Sequence, residues 1–239
     1  MGLRFEGGGA GRHSTGRRPG RGGGLRAGAS YFNGLLSLQP VSFLLGIAGG
    51  LGSGKTALAR TLERRGVPVF FADDEAKRLY TADPSLHAAI VETFGPEMYR
   101  PDGSLDRARM AAHVFADPAE LARLNALIHP RVFARWKAFV AEHAAAPVVA
   151  HESAILFESG GDAHVDAVVW VDAPREMRIA RALERDPHLS REHIEARMAR
   201  QIDAAEGRRR ADFVVENTGT LADVDVAAER LLAQLASTP

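Results

Sequence analysis

The run Gly49-Gly50-Leu51-Gly52-Ser53-Gly54-Lys55-Thr56 constrains the fold more than any other feature of the chain. It satisfies G-x-x-x-x-G-K-[ST] at every fixed position. Glycines let the backbone curl until successive N–H groups face inward, a cradle for phosphate oxygens. The helix that follows adds its N-terminal dipole. Lys55 can then reach the β- and γ-phosphates of a nucleoside triphosphate, and the Thr56 hydroxyl can ligate Mg²⁺. Gly50, Leu51, Gly52, Ser53, Gly54, Lys55 and Thr56 are therefore candidate ATP-binding residues, with Thr56 also the candidate metal ligand.

The flanks carry the pattern this loop needs. Val41 to Ala48 reads as a buried strand, and Lys55 to Arg65 as a helix ended by Gly66 in the C′ position. A second apolar strand runs from Val67 to Phe71. Strand, glycine turn, helix and strand make a βαβ unit, which implies a parallel sheet covered by helices. Residues 74–145 show no strand pattern. They read as helices started at Asp83-Pro84, Asp106 and Asp117-Pro118. Further strands are expected at Pro147–Ala150, Ala167–Val171 and Asp212–Val215, and a last helix from about Asp223. The expected architecture is α/β: a five-stranded parallel P-loop sheet with helices on both faces and a helical insertion after the second strand. The core comprises 41–73 and 146–239, and the insertion 74–145.

Residues 1–40 are Gly/Arg-rich and are expected to form a disordered extension, because they offer little apolar surface to bury. They hold six arginines and one glutamate, so the neutral chain leaves a net charge of −5 on the remainder. A mildly acidic body is a poor general nucleic-acid binder, and no nucleic-acid partner is expected. The apolar stretch Leu35–Leu51 is broken by Gln39, Pro40 and three glycines, and it runs into the P-loop rather than across a membrane. There is no cysteine, which removes disulfide, thiolate-metal and thiol-nucleophile chemistry and suits a cytoplasmic location.

Asp73 stands at the carboxyl end of the second strand, where ligands of open parallel sheets bind. A carboxylate there can accept a proton from an attacking hydroxyl. Ala72-Asp73-Asp74-Glu75 is equally a good acidic helix start. Arg178, Arg181 and Arg185 share one helical face, suited either to holding charge on a moving phosphoryl group or to solvent exposure beside Glu176, Glu184 and Asp186. The nine histidines show no metal-ligand spacing, and His129-Pro130 reads as a turn or helix-breaking feature, with His151 as polar filling near the crevice.

Several later segments, in order, resemble the dephospho-CoA kinase family. They are Gly49–Lys55, Ala72-Asp73 with Ala76-Lys77, Asp102–Arg107, Leu124–Pro130, Ala154–Glu158, Arg181–Asp186, Ser190–Glu192 with Gln201, and Ala211–Gly219. The resemblance implies ATP-dependent phosphorylation of the ribose 3′-hydroxyl of dephospho-CoA. It implies that the insertion 74–145 is a helical substrate-binding insertion and that a lid spans about 178–200. It implies Asp73 as catalytic base, with Lys55, Arg181 and Arg185 completing the catalytic set. It places Asn217 and Gly219 by the ATP adenine, and His129, Glu152, Leu156 and Glu158 with Asp73 on the substrate side. Phe71 stands where the family has an acid, and Glu152 and Ala154 replace its Asp and Pro. A kinase for another small nucleotide or metabolite is the nearest alternative.

Overall fold

The computed structural model describes residues 42–237. The reading of residues 1–40, and Val41 at the head of the first strand, lie outside them. Strand β1 (Phe43–Ala48) is apolar on both faces, as a central strand must be, and runs into the P-loop. Helix α1 (Lys55–Arg64) buries Leu58, Ala59 and Leu62 and ends at Gly66, whose φ of +87° only glycine adopts freely. Val67 does not open the second strand as expected. Its N–H turns back to Leu62 O at 3.1 Å to close the helix, and Pro68 has no N–H to offer. Strand β2 is therefore only Val69–Phe71.

Helices α2 (Ala72–Ala82), α3 (Pro84–Phe94), α4 (Arg107–Ala116) and α5 (Pro118–Glu142) follow. Helix α2 starts at Ala72, directly after β2, and Asp73 lies in its first turn. The three expected aspartate starts are present. Asp83 accepts from Ser85 N and Leu86 N, Asp106 from Arg109 N, and Asp117 from Ala119 N. Each such cap is worth about 1 kcal/mol. The insertion has its own core, in which Leu79, Leu86, Ile90, Phe94, Met110, Leu124 and Ile128 meet.

Pro130 corrects the sequence reading: it lies inside α5 and does not break it. An interior proline costs roughly 3 kcal/mol, and α5 withstands it because both halves are anchored. Leu124 and Ile128 pack into the insertion core, while Trp136 packs with Phe70 and Val149 against the sheet. At 1.5 Å per residue this helix is about 37 Å long, and it joins the insertion to the sheet.

Strand β3 (Val148–Glu152) runs two residues further than expected, which brings His151 and Glu152 into the ladder. Strand β4 (Ala167–Asp172), helices α6 (Arg175–Arg185), α7 (Arg191–Met198) and α8 (Ala204–Arg210), strand β5 (Phe213–Glu216) and helix α9 (Leu221–Ala236) complete the chain. Helix α9 starts at Leu221, two residues before the expected Asp223, because Thr220 and Asp223 form a reciprocal capping box. All strand pairs are parallel, in the order β2-β3-β1-β4-β5. Helices α1 and α9 cover one face through Leu58, Leu62, Ala227 and Leu231; α5 and α8 lie on the other. The chain crosses from one side of β1 to the other, so a crevice opens at the strands' carboxyl ends, where the P-loop sits.

Candidate active site

The P-loop is shaped by its glycines and pinned from outside. Gly52 and Gly54 hold φ values of +75° and +94°, and a Cβ at Gly54 would collide with Nδ2 of Asn217. That Nδ2 donates to Ser53 O at 2.9 Å, fastening the loop to the end of β5, and Asn217 is buried. Leu51 at the crest is held at both backbone atoms. Its N–H donates to Oε1 of Gln201 at 2.7 Å, and its carbonyl accepts from Nε of Arg178 at 2.9 Å. The Leu51 side chain packs with Ile179, Ala182 and Ile194 of α6 and α7.

Lys55 is the first residue of α1 and only 8% exposed. Beside it the Thr56 hydroxyl donates to Oε1 of Glu152 at 3.1 Å. Glu152 is buried, and burial raises its carboxyl above the usual carboxylate range. The Lys55 charge opposes that rise, and the nearby Asp73 charge adds to it. Thr56, Lys55, Glu152 and Asp73 thus converge at the ends of β1, β2 and β3.

The two acids at the start of α2 part company. Asp74 pairs with Lys77 at 2.7 Å, an ordinary i, i+3 surface bridge. Asp73 is exposed, caps no backbone N–H among the described residues, and lines a cavity of about 400 Å³ between the insertion and the sheet. His129, Pro130 and Phe133 of α5 form one wall of that cavity, and His151, Ser153 and Ile155 another. Burial lowers the His129 pKa, which favours the neutral ring. His151 is stacked on Trp136 with ring centroids 4.7 Å apart, and neither of its ring nitrogens has a hydrogen-bond partner among the described residues. Desolvation holds its pKa at about 4, with the nearby His164 acting in the same direction.

The arginine face of α6 divides along its length. Arg178 reaches the P-loop crest, and Nη1 of Arg181 donates to Asn217 O at 3.1 Å. Arg185 is exposed and paired with Asp186 at 2.9 Å. Two residues expected on the substrate side lie elsewhere. Leu156 is 1% exposed and packs in the core under β1 and β4, because the turn after β3 directs it inward. Glu158 accepts from Ile202 N at 2.8 Å, so its carboxylate is committed to a chain connection. Gly219 follows β5 next to the α9 cap, and a second recess of about 250 Å³ opens nearby between Asp172, Pro174, Arg208, Glu216 and Thr218. Arg208 bridges Asp172 at 2.9 Å and Glu216 at 3.0 Å across the ends of β4 and β5.

Sequence reasoning missed three of these roles. Arg208 had a readable signal, since it precedes a short strand that ends in Glu216. Gln201 stood within a recognised motif, but nothing in the sequence showed which backbone atoms it bonds. Arg178 was seen on the right face without its partner, because Leu51 O is 127 positions away.

A family model described as dephospho-CoA kinase matches residues 43–223. The chain belongs to the dephospho-CoA kinase family. A dephospho-CoA kinase of Salinibacter ruber is 45% identical over 75% of this chain and 91% of its own length. One from Deinococcus radiodurans is also 45% identical, over 80% of this chain and 91% of its own. Among solved structures, TT1252 from Thermus thermophilus superposes with a TM-score of 0.72 at 36% identity, covering 82% of this chain and 98% of that one. A dephospho-CoA kinase from Campylobacter jejuni, at 22% identity and a TM-score of 0.59, shares the fold over 80% of this chain and 96% of that one. Family membership agrees with the five-stranded parallel sheet and the kinase-type site.

Proposed function

We propose that this chain transfers the γ-phosphoryl group of ATP to the ribose 3′-hydroxyl of dephospho-CoA, giving coenzyme A and ADP. The observation that carries this reading is the position of Asp73. It is an exposed carboxylate with no side-chain partner among the described residues, lining a 400 Å³ cavity and close enough to Glu152 for their charges to interact.

In this reading ATP lies along the P-loop, with its adenine toward Asn217, Gly219 and the recess bridged by Arg208. Lys55 extends toward the β- and γ-phosphates from a pocket where it is nearly buried. The acceptor fills the cavity, its apolar arm against Ile128, Val132 and Phe133 and its polar groups near His129 and Ser153. Asp73 orients the 3′-hydroxyl and takes its proton as the phosphoryl group moves. Arg181, fixed on Asn217 O, sets positive charge beside the loop; Arg185 joins only if its pair with Asp186 opens. Such a reaction gains most of its acceleration from positioning and electrostatics.

The described residues form no cluster of three or more His, Asp or Glu able to hold a metal ion alone. They do fit a Mg²⁺ that depends on the nucleotide, because a buried carboxylate already waits behind the Thr56 hydroxyl. Thr56 would hold that ion, with Glu152 behind it, and the ion would neutralise charge on the phosphates. The absence of cysteine supports a cytoplasmic setting. The test is a coupled ADP-release assay with dephospho-CoA against a panel of nucleotides and hydroxylated metabolites. Turnover confined to a different acceptor would replace dephospho-CoA in this reading.

A further inference from the structure

Gln201 lies between α7 and α8, half-buried, and uses both ends of its amide. Oε1 accepts from the N–H of Leu51 at the P-loop crest, and Nε2 donates to the carbonyl of Ala154 at 3.0 Å. Ala154 lies between Ser153 and Ile155, which both line the cavity that faces Asp73. One planar side chain therefore spans the donor loop and the acceptor wall. The next residue strengthens the link, since Ile202 N–H donates to Glu158 on the same side. The other backbone atom of Leu51 is held by Arg178, and its side chain is packed among α6 and α7. A shift of the crest cannot leave this amide unaffected, because its two bonds face opposite partners and a primary amide has one acceptor oxygen and one donor nitrogen.

We infer that Gln201 is a positioning residue that couples the two substrate sites, transmitting the conformation of the ATP loop to the wall that receives the acceptor. The inference rests on the phosphotransfer reading above. When the loop closes on phosphate, Leu51 and Gln201 hold Ser153 and Ile155 in the register that fits the acceptor. Binding of either substrate then favours the other, and the linkage is reciprocal.

The experiment compares the whole chain with Gln201→Met and Gln201→Asn. Methionine keeps the length and loses both hydrogen bonds; asparagine keeps the amide but is one methylene too short to span both partners. Affinity for dephospho-CoA is measured by calorimetry with and without a non-hydrolysable ATP analogue, alongside melting temperature and turnover. In the unmutated chain the analogue should tighten dephospho-CoA binding by at least about fivefold, the lower end of ordinary coupling. In both variants that ratio should fall to near one, even where melting temperature is unchanged. Should methionine unfold the protein, the asparagine variant carries the comparison. A ratio that survives in the folded variants, or that is absent from an active unmutated chain, overturns the inference. No turnover of dephospho-CoA by the unmutated chain would overturn the functional reading, and the inference with it.

Discussion

At the scale of single residues, Asp73 and Asp74 give the sharpest test. Asp73→Asn keeps the size of the side chain and removes the proton acceptor, so kcat should fall by about 10²–10⁴-fold with ATP affinity nearly unchanged. Asp74→Asn loses only a surface bridge to Lys77 and should leave kcat within about twofold. Equal, mild losses at both positions in steady-state assays would move the search for a base to Glu152. His151 offers a test of stability. Its pKa is about 4 in the folded chain against 6.5 for an ordinary histidine, chiefly through burial. The unfolded chain therefore takes up this proton first as pH falls. The stability conferred by the neutral ring is complete above pH 6.5 and is lost as pH drops toward 4, by about 3 kcal/mol in all. His151→Leu should flatten that part of the stability profile measured by urea melts between pH 7 and 4. An unchanged slope would show that the carboxylates alone set acid sensitivity.

At the scale of elements, the P-loop and α6 are fitted to one another through glycines with unequal tolerance. A Cβ at Gly50 would press on the guanidinium end of Arg178, a flexible group that can shift at the cost of its bond to Leu51 O. A Cβ at Gly52 would meet the backbone carbonyl of Arg178, and its φ of +75° penalises any other residue by roughly 1–2 kcal/mol. Gly50→Ala should thus raise the KM for ATP by less than about tenfold, whereas Gly52→Ala should lose most turnover and melt several degrees lower. Matching kinetics for the two variants would contradict the docking of α6 on the loop. The same elements show what could be read beforehand. The P-loop, its strand and helix, and the three aspartate-capped starts were legible because each is decided by neighbours within a few residues. Pro130 was misread because the forces that keep α5 whole come from Leu124 and Trp136 packing on different partners. The end of β3 was misread for a similar reason, since His151 and Glu152 are held in the ladder by β1 and β2 rather than by their own propensity. Leu156 and Glu158 followed a motif whose residues serve packing and connection as well as substrate.

At the scale of the whole molecule, two cores meet along α5. The insertion gathers around Leu86, Ile90 and Phe94, the sheet around Leu45, Ile47 and Leu231, and the seam between them is the aromatic group of Phe70, Trp136, Phe139 and His151. The cavity opens beside that seam, so the acceptor would touch both bodies at once. The chain has only two tryptophans, and the fold puts them in separate surroundings. Trp136 stacks on His151, a residue of the cavity wall, whereas Trp170 on β4 lies beneath Gly207 of α8 and packs with Phe157. The molecule thereby carries its own optical reporter at the acceptor end, with an internal reference at the other. Dephospho-CoA titrated into nucleotide-free protein should alter the emission of Trp136. Trp136→Phe should abolish that signal and Trp170→Phe preserve it, and the reverse pattern would move the acceptor away from the cavity. Ligand arrival could then be timed in a stopped-flow instrument, separately from phosphoryl transfer, with no dye attached.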